Sequence, residues 1–163
     1  MGLRVRGELT VVRSATEADA DLLVEWHLDP EVSRYWDDET FTRDEMLEQL
    51  RRADVDAWIV EADGRPVGYL QSWWDEAGVG GLDMFLVPGA RGRGLGPDAA
   101  RALAHHLLGE RGWTRLTVDP YLWNEPAIRA WTRAGFRPVE ERHDLDEDHA
   151  GPWLLMEWAG PGR

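Results

Sequence analysis

Residues 91–97 read RGRGLGP and place three glycines and two arginines in seven positions. This stretch follows the apolar run LDMFLVP after two residues and precedes AARALAHHLL after Asp98, so the pattern predicts a turn between a strand and a helix. Backbone N–H groups without bulky Cβ atoms, at the N-terminus of a helix, form a concave positive site for an anion. The stretch therefore predicts an anion-binding loop, and a glycine turn without a ligand is the simplest alternative.

Two other glycine loops that bind phosphate groups do not match the stretch. The loop of phosphate-binding NTPases needs a Lys followed by Ser or Thr, and the chain contains no lysine. A dinucleotide fingerprint has the spacing G-x-G-x-x-G early in a βαβ unit, whereas Gly92, Gly94 and Gly96 follow an apparent antiparallel meander with the spacing G-x-G-x-G. Neither class is indicated.

The charge of the chain is strongly negative, with 18 basic residues against 31 acidic ones and a formal net charge of −13. Such a chain repels nucleic acid and anionic membranes, so we expect neither as a partner and favour a cationic small molecule. An acidic surface that only maintains solubility is the alternative. Because cysteine is absent, zinc-thiolate sites and an acyl-cysteine intermediate are excluded, and we expect no metal site.

The length of 163 residues fits one domain, and no linker or repeat divides residues 1–163. The N-terminus has no long apolar segment of the signal-peptide type, and no run approaches the ~20 apolar residues of a membrane helix. We therefore expect a cytoplasmic protein, monomeric or homodimeric.

Periodicity and turn residues predict an α+β protein in which one sheet is layered with helices. Residues 8–13 read as a strand, Thr16 as a helix cap, and Thr42 with Glu45 as a capping box. Asp63-Gly64 joins two β-rich runs as a hairpin. A helix is expected over residues 97–108, with Pro97 in its first position.

Two spaced motifs carry a resemblance to a known family. Residues 91–96 satisfy [R/Q]-x-x-G-x-[G/A] before a helix, and NEPAIRAWTRAGF (residues 124–136) is similar to N-x-x-A-[IR]-x-x-[YW]-x-x-x-G-F. Both resemble the GNAT superfamily of N-acyltransferases. The resemblance implies a single mixed sheet of about 6–7 strands and about 4 helices, splayed between LDMFLV and TRLTV, with the acyl-pantetheine arm in the gap.

The resemblance also implies acetyl-CoA as the acyl donor and a set of residues that contact it. These are Leu86, Val87, Arg91, Gly92, Arg93, Gly94, Leu95, Gly96, Asn124, Ala127 and Trp131. The loop and its two arginines would hold the pyrophosphate, and an N–H near Leu86 or Val87 would polarise the thioester carbonyl. Pro97 removes one donor from the loop.

Residues 57–158 resemble a narrower group, the aminoglycoside 6′-N-acetyltransferases. By that resemblance Asp83 contacts the reacting amine as the catalytic residue, Asp119 contacts the substrate, and Trp36 lies against a sugar ring. A carboxylate suits an amine acceptor, since it binds the ammonium form and takes up its proton directly or through a water. The acidic runs at 37–39, 75–76 and 144–148 are candidates for the rim of such a site.

The chain departs from the family at Trp131, where the superfamily usually has a Tyr that protonates the departing thiolate. An indole N–H is no practical acid, so water or Tyr121 takes that role, or the thiolate leaves unprotonated. Three alternatives therefore stay open. They are an acyltransferase for hydroxylysine in siderophore assembly, which tends to have His where Asp83 stands, a protein or polyamine acetyltransferase, and an acyl-CoA-binding module without catalysis.

Overall fold

The chain is described by a computed structural model that covers residues 2–144 and 146–160. Eight strands form one sheet: β1 Arg4–Arg6, β2 Val11–Ser14, β3 Val55–Ala62, β4 Arg65–Trp74, β5 Val79–Leu86, β6 Arg115–Val118, β7 Phe136–Arg142 and β8 Trp153–Trp158. Five α-helices flank it: α1 Ala20–Leu28, α2 Pro30–Ser33, α3 Arg43–Leu50, α4 Leu95–Gly109 and α5 Glu125–Ala134. Short 3₁₀ turns lie at Glu17–Asp19 and Pro88–Ala90. The mixed α+β sheet confirms the predicted fold class.

The fold has more strands and helices than the sequence predicted: eight strands where about 6–7 were expected, and five α-helices where about four were expected. The three-residue β1 and the four-residue α2 account for most of the difference, because elements so short leave no periodic pattern. The strand predicted at residues 8–13 begins only at Val11, since residues 7–10 form a turn that binds Asp98.

Side chains alternate between the two faces of the sheet, and each face packs against its own helices. On one face Ile59, Tyr69 and Phe85 pack with residues of α1, α2 and α3. On the other face Leu70 and Leu82 pack with residues of α4 and α5. The central strands are therefore covered on both sides, and a ligand reaches them at an edge or a gap.

A gap opens between β5 and β6, the one parallel pair among the strands described. The two strands pair only from Val79↔Arg115 to Gly81↔Thr117, while the other edge of β6 pairs with β8 at Thr117 and Val118. Beyond Gly81, β5 continues to Leu86 with β4 on one side and no strand paired on the other. This is the predicted splay between the central strands.

The predicted turns and caps are present. Asp63 and Gly64 have φ values of 53° and 75°, as the hairpin turn requires. Thr42 and Glu45 form the capping box of α3.

The start of α4 differs from the prediction, because Gly94 is its N-cap and Leu95 its first residue, which puts Pro97 in the third position. Pro97 is still tolerated there, since the first turn of a helix has no upstream acceptor for its N–H groups. No helix in residues 2–144 or 146–160 is long and apolar enough to span a membrane.

Candidate active site

Two cavities meet at the gap between β5 and β6. The larger has a volume of about 840 Å³ and the smaller about 480 Å³. Five residues line both: Tyr35, Met84, Asn124, Ala127 and Trp131. The cavities are therefore two compartments of one cleft, and the unpaired edge of β5 lies at their junction.

The smaller cavity contains the glycine loop. Its lining includes Gly92, Gly94, Leu95 and Gly96, and among the described residues no N–H of residues 92–96 donates a hydrogen bond. Gly92 and Gly94 both have φ of 77°, a conformation that favours glycine. Free amides at the N-terminus of the 15-residue α4 are an arrangement that can bind an anion. That these residues hold a pyrophosphate stays a prediction.

The arginines near this loop are arranged differently from the prediction. Arg91 donates from Nε to the Leu86 carbonyl oxygen at 3.1 Å, and from its terminal nitrogen to the Glu31 carbonyl oxygen. Its guanidinium is therefore engaged with β5 and α2 and acts as a clamp between them. Arg93 is exposed and lines neither cavity, so the structure does not support it as a phosphate contact.

Two arginines of α5 that the sequence analysis missed line the smaller cavity instead. Arg129 and Arg133 are four residues apart and share one helix face, and the position of a Cβ on Gly94 is 3.9 Å from a terminal nitrogen of Arg133. The i, i+4 spacing within NEPAIRAWTRAGF is the signal that could have found them. They bring positive charge to the cavity from α5.

The structure distinguishes between the two candidate oxyanion donors, the N–H groups of Leu86 and Val87. The Val87 N–H donates to the Val67 carbonyl oxygen at 2.9 Å, so it is consumed by the pairing with β4, and the prediction that Val87 polarises a thioester is wrong. Successive backbone groups of a strand point to opposite sides, which directs the Leu86 N–H toward the gap. Leu86 also lines the smaller cavity and remains the candidate.

Helix α5 presents Asn124, Ala127 and Trp131 to both cavities. Asn124 is the N-cap of this helix, and its Oδ1 accepts from the Ala127 N–H at 3.2 Å, which leaves its amide N–H groups available. Trp131 is buried, with its ring edge against Phe136. The indole thus forms a wall of the cleft.

The larger cavity is lined by seven carboxylic acids: Asp37, Glu39, Asp54, Asp83, Asp119, Asp146 and Asp148. The acidic runs at 37–39 and 144–148 contribute to it, as predicted. The run at 75–76 does not, because Asp75 caps its own turn by accepting from the N–H groups of Ala77 and Val79. In the described lining, Arg52 and His149 are the basic groups, so the cavity attracts cations.

Asp83 on β5 and Asp119 after β6 face this cavity from the two strands that separate. Burial raises the pKa of Asp83 to about 7, and the nearby charges of Asp119 and Asp37 add to the effect. Burial also raises the pKa of Asp119, although its hydrogen bond with His149 opposes the rise. A carboxylate with a pKa near neutrality is suited to take up a proton at physiological pH.

Aromatic side chains wall the larger cavity. Trp36 lines it and packs edge-to-face on Phe85 and Tyr69, with ring centroids 5.3 and 5.7 Å apart. Trp73, Trp74 and Trp153 also line it. Rings around a polar floor are typical of sites that bind sugars. That Trp36 contacts a sugar stays a prediction.

His149 is a residue of this site that the sequence analysis did not single out. Its Nε2 lies 2.7 Å from Asp119 Oδ2 and its Nδ1 lies 2.8 Å from Asp146 Oδ1. The ring stacks on Trp153 with centroids 4.1 Å apart. Nothing in the local run DLDEDHAGP indicates that His149 contacts Asp119, the residue that follows β6.

The two compartments define an acyl-CoA-dependent transferase: an anion-binding loop and an unpaired strand edge on one side, and an acid-lined cavity for a cation on the other. Comparison with known proteins agrees. The family model described as "Acetyltransferase (GNAT) domain" matches residues 15–144, and the chain belongs to this family.

Several of the similar proteins are named for aminoglycosides. An aminoglycoside N(6′)-acetyltransferase type 1 of Klebsiella pneumoniae is 32% identical over 165 residues, which cover 89% of this chain and 80% of the relative. The structure of AAC(6')-Ib in complex with paromomycin and acetyl-CoA has a TM-score of 0.80 and 30% identity, with 93% of each chain covered. Its complex with coenzyme A and kanamycin has a TM-score of 0.78 and 30% identity, with 91% of this chain and 93% of that one covered.

Proposed function

We propose that the protein transfers the acetyl group of acetyl-CoA to the 6′-amino group of an aminoglycoside, by direct attack in a ternary complex. The observation that carries this proposal is the cavity lined by seven carboxylic acids that opens onto the unpaired edge of β5. An aminoglycoside is a sugar polycation, and the cavity of about 840 Å³ has the size of a small-molecule site. The similarity to acetyltransferases of this substrate class supports the assignment.

In the proposed mechanism the loop amides of residues 92–96 bind the pyrophosphate, with charge from Arg129 and Arg133. The pantetheine arm lies along β5, where Leu86 donates its N–H to the thioester oxygen and stabilises the negative charge that develops there. Asp83 holds the ammonium form of the acceptor amine. It then accepts the proton, directly or through a water, so that the neutral amine can attack.

The attack forms the C–N bond and breaks the C–S bond, and the electron pair leaves with the sulfur of coenzyme A. Tyr121 is one candidate for protonating that sulfur. Its hydroxyl group donates a hydrogen bond to Asp37 Oδ1 at 2.7 Å and accepts one from the Ala150 N–H. Since an ordinary thiol has a pKa of about 8.5, a thiolate is a tolerable leaving group. We infer that the thiolate departs without a dedicated side-chain acid and is protonated by solvent.

The remaining features of the proposal rest on charge and composition. A net charge of −13 disfavours nucleic acid and anionic membranes as partners. We propose a single catalytic domain, cytoplasmic because acetyl-CoA is supplied there, and monomeric or homodimeric.

The experiment is a thiol-release assay with acetyl-CoA and kanamycin, followed by mass spectrometry and NMR of the product to locate the acetyl group. Acetylation at the 6′ nitrogen is expected. The matched substrate control is an aminoglycoside that carries a hydroxyl at the 6′ position, which should release no thiol. Turnover of small polyamines or peptides in preference to kanamycin would contradict the proposal.

Coenzyme A binding without catalysis is the second candidate, and Trp131 is the observation that favours it. Calorimetry that shows coenzyme A binding, together with no thiol release from any amine of a panel, would establish it in place of the first.

A further inference from the structure

His149 is a titratable group of the acceptor cavity that the mechanism above does not use. Its two ring nitrogens lie 2.7 Å from Asp119 Oδ2 and 2.8 Å from Asp146 Oδ1. When both carboxylates are ionised they only accept hydrogen bonds, so both ring nitrogens carry a proton in this geometry. In that state the side chain is an imidazolium, and the acidic cavity contains a cation supplied by the chain itself.

The surroundings of His149 are those of a binding site for a cation. The ring stacks on Trp153 with centroids 4.1 Å apart and planes 10° apart, and Tyr121 meets it at 84° with centroids 6.1 Å apart. The side chain is only 10% exposed. Carboxylates in the plane of the ring and an indole against its face are a favourable enclosure for a flat cation.

The charged groups that face the imidazole come from several elements: Asp119 after β6, Asp146 and Asp148 of its own loop, Asp83 of β5, Asp37 beyond Tyr121, and Arg142 of β7 beyond Trp153. Acids therefore predominate. Burial alone would lower the pKa of His149, but the hydrogen bonds to Asp146 and Asp119 outweigh it and raise the pKa above its ordinary value.

We propose that His149 is a resident cation of the acceptor site, which an ammonium group of the acceptor displaces from Asp119 when it binds. This inference rests on the proposed function, because it concerns the acceptor of that reaction. The imidazolium occupies Asp119 Oδ2 at 2.7 Å. An ammonium that binds through the same oxygen makes an equivalent charge-assisted hydrogen bond, and two positive charges so close together repel, so the two cations compete for that oxygen. His149 therefore weakens acceptor binding and discriminates against amines that carry too little charge to replace it.

A second observation concerns Trp153, beneath the imidazole. Its Nε1 is buried and has no hydrogen-bond partner among the described residues. A buried donor without an acceptor is unfavourable, so the arrangement with His149 in place is not fully satisfied. An acceptor that is hydroxylated as well as polycationic carries oxygens that can accept from such a donor.

The test is His149→Gln, which keeps a polar side chain and removes the positive charge. At about pH 6 we expect the KM for kanamycin to fall roughly tenfold, because the competing cation and its charge-assisted bonds are gone. The KM for acetyl-CoA should stay within about twofold of the wild type. The kcat at this pH should fall, because the imidazolium lowers the pKa of Asp83 and its loss leaves less of that carboxylate ionised. As the pH rises and the wild-type imidazole loses its proton, the difference between the two proteins in KM for kanamycin should disappear.

The matched control is His143→Gln, since His143 also pairs with a carboxylate, Glu141, at 3.1 Å but is exposed and lines neither cavity. It should leave the KM for kanamycin unchanged at every pH. A raised KM for kanamycin in His149→Gln would overturn the proposal, because it would show that His149 only orients Asp119. A KM equal to that of the wild type at about pH 6 would also overturn it.

Calorimetric titration of kanamycin into both proteins separates this inference from the proposed function. Tighter binding to His149→Gln, together with no thiol release by the wild type, would support the resident cation and refute the acetyltransferase assignment. Thiol release by the wild type with unchanged affinity in the variant would do the reverse. If the wild type neither binds nor acetylates kanamycin, both proposals are wrong.

Discussion

The Arg91 Nε–H donates to the Leu86 carbonyl oxygen across 3.1 Å, and a terminal nitrogen of Arg91 donates to the Glu31 carbonyl oxygen. The first arginine of the glycine loop thus fixes the last residue of β5, which is the residue whose N–H we assign to the thioester. The same side chain holds α2, which carries the chain toward Tyr35 and Trp36. We call the smaller cavity, which contains the glycine loop, the donor compartment, and the larger, acid-lined cavity the acceptor compartment. The guanidinium of Arg91 thus connects the strand beside the donor compartment to the helix that precedes residues of the acceptor compartment.

Replacing Arg91 by Met should reduce kcat about 10-fold or more, because the Leu86 amide loses its fixed position and oxyanion donors act through preorganisation. Steady-state kinetics with kanamycin and acetyl-CoA measures this. Arg65→Met, at the exposed start of β4, is the matched control and should leave kcat unchanged. An increase in the KM for acetyl-CoA alone would instead show that Arg91 contributes by phosphate attraction.

Replacing both Arg129 and Arg133 by Gln should raise the KM for acetyl-CoA about 10-fold, because two guanidinium groups that line the smaller cavity lose their charge. The KM for kanamycin should not change. Salt should weaken acetyl-CoA binding more in the wild type than in the variant, since screening acts on the charges that the variant lacks. Arg137→Gln, on the exposed face of β7, controls for loss of surface charge, and an effect of equal size there would contradict the assignment.

Asp83→Asn should lower kcat/KM for kanamycin by about 100-fold or more, since the amide neither binds the ammonium as a charge nor accepts its proton. In the wild type kcat/KM should rise with pH as Asp83 ionises, and this rise should be centred at about pH 7, the pKa to which burial raises Asp83. The rise should be absent from the pH profile of the variant. Glu76→Gln removes a carboxylate that lies outside both cavities and should leave the profile unchanged.

A second measurement on the same variant does not depend on turnover. A carboxyl pKa raised by folding means that the contribution of Asp83 to stability is complete below its ordinary pKa and is lost as the pH rises through about 7. The Tm of Asp83→Asn should therefore exceed that of the wild type at about pH 8 and approach it at about pH 5. A difference in Tm that does not change with pH would show that Asp83 is not a strained carboxylate.

The sequence predicted the donor compartment better than the acceptor compartment. The glycine loop, its following helix and the N-cap of α5 depend on residues close together in the chain, so their local pattern is informative. The separation of β5 from β6 was expected from the family resemblance. The prediction that the Val87 N–H polarises the thioester was wrong, because the direction of a strand N–H depends on the register with β4, which no local pattern specifies.

The acceptor compartment is assembled from distant parts of the chain. Asp83 and Asp119 were found through motifs, but His149 faces Asp119 across a separation of 30 residues. Arg91 was assigned to the pyrophosphate through the family's loop motif, and the structure shows two carbonyl oxygens as its hydrogen-bond partners. Motifs and charge patterns thus indicate which residues belong to the site. Which residues they contact, when those lie far away in the chain, is known only once the fold is known.

Asp98 in the first turn of α4 should be essential for the shape of the coenzyme A loop. It is 4% exposed, and its carboxylate accepts from the N–H groups of residues 8–10 and from Thr10 Oγ1 at 2.7–3.0 Å. An amide has one acceptor oxygen instead of two, so Asp98→Asn leaves buried donors unsatisfied at a cost of about 1–3 kcal/mol. That corresponds to a Tm lower by roughly 3–10 °C for a chain of this size.

The same substitution should also raise the KM for acetyl-CoA, because the turn at residues 8–10 holds the start of α4, whose free amides form the anion site. Thermal unfolding with and without coenzyme A measures both effects. Asp44→Asn, in the exposed first turn of α3, removes an equivalent charge from a helix N-terminus outside the cleft and should leave the KM unchanged. A lowered Tm with an unchanged response to coenzyme A would show that Asp98 stabilises the fold without shaping the loop.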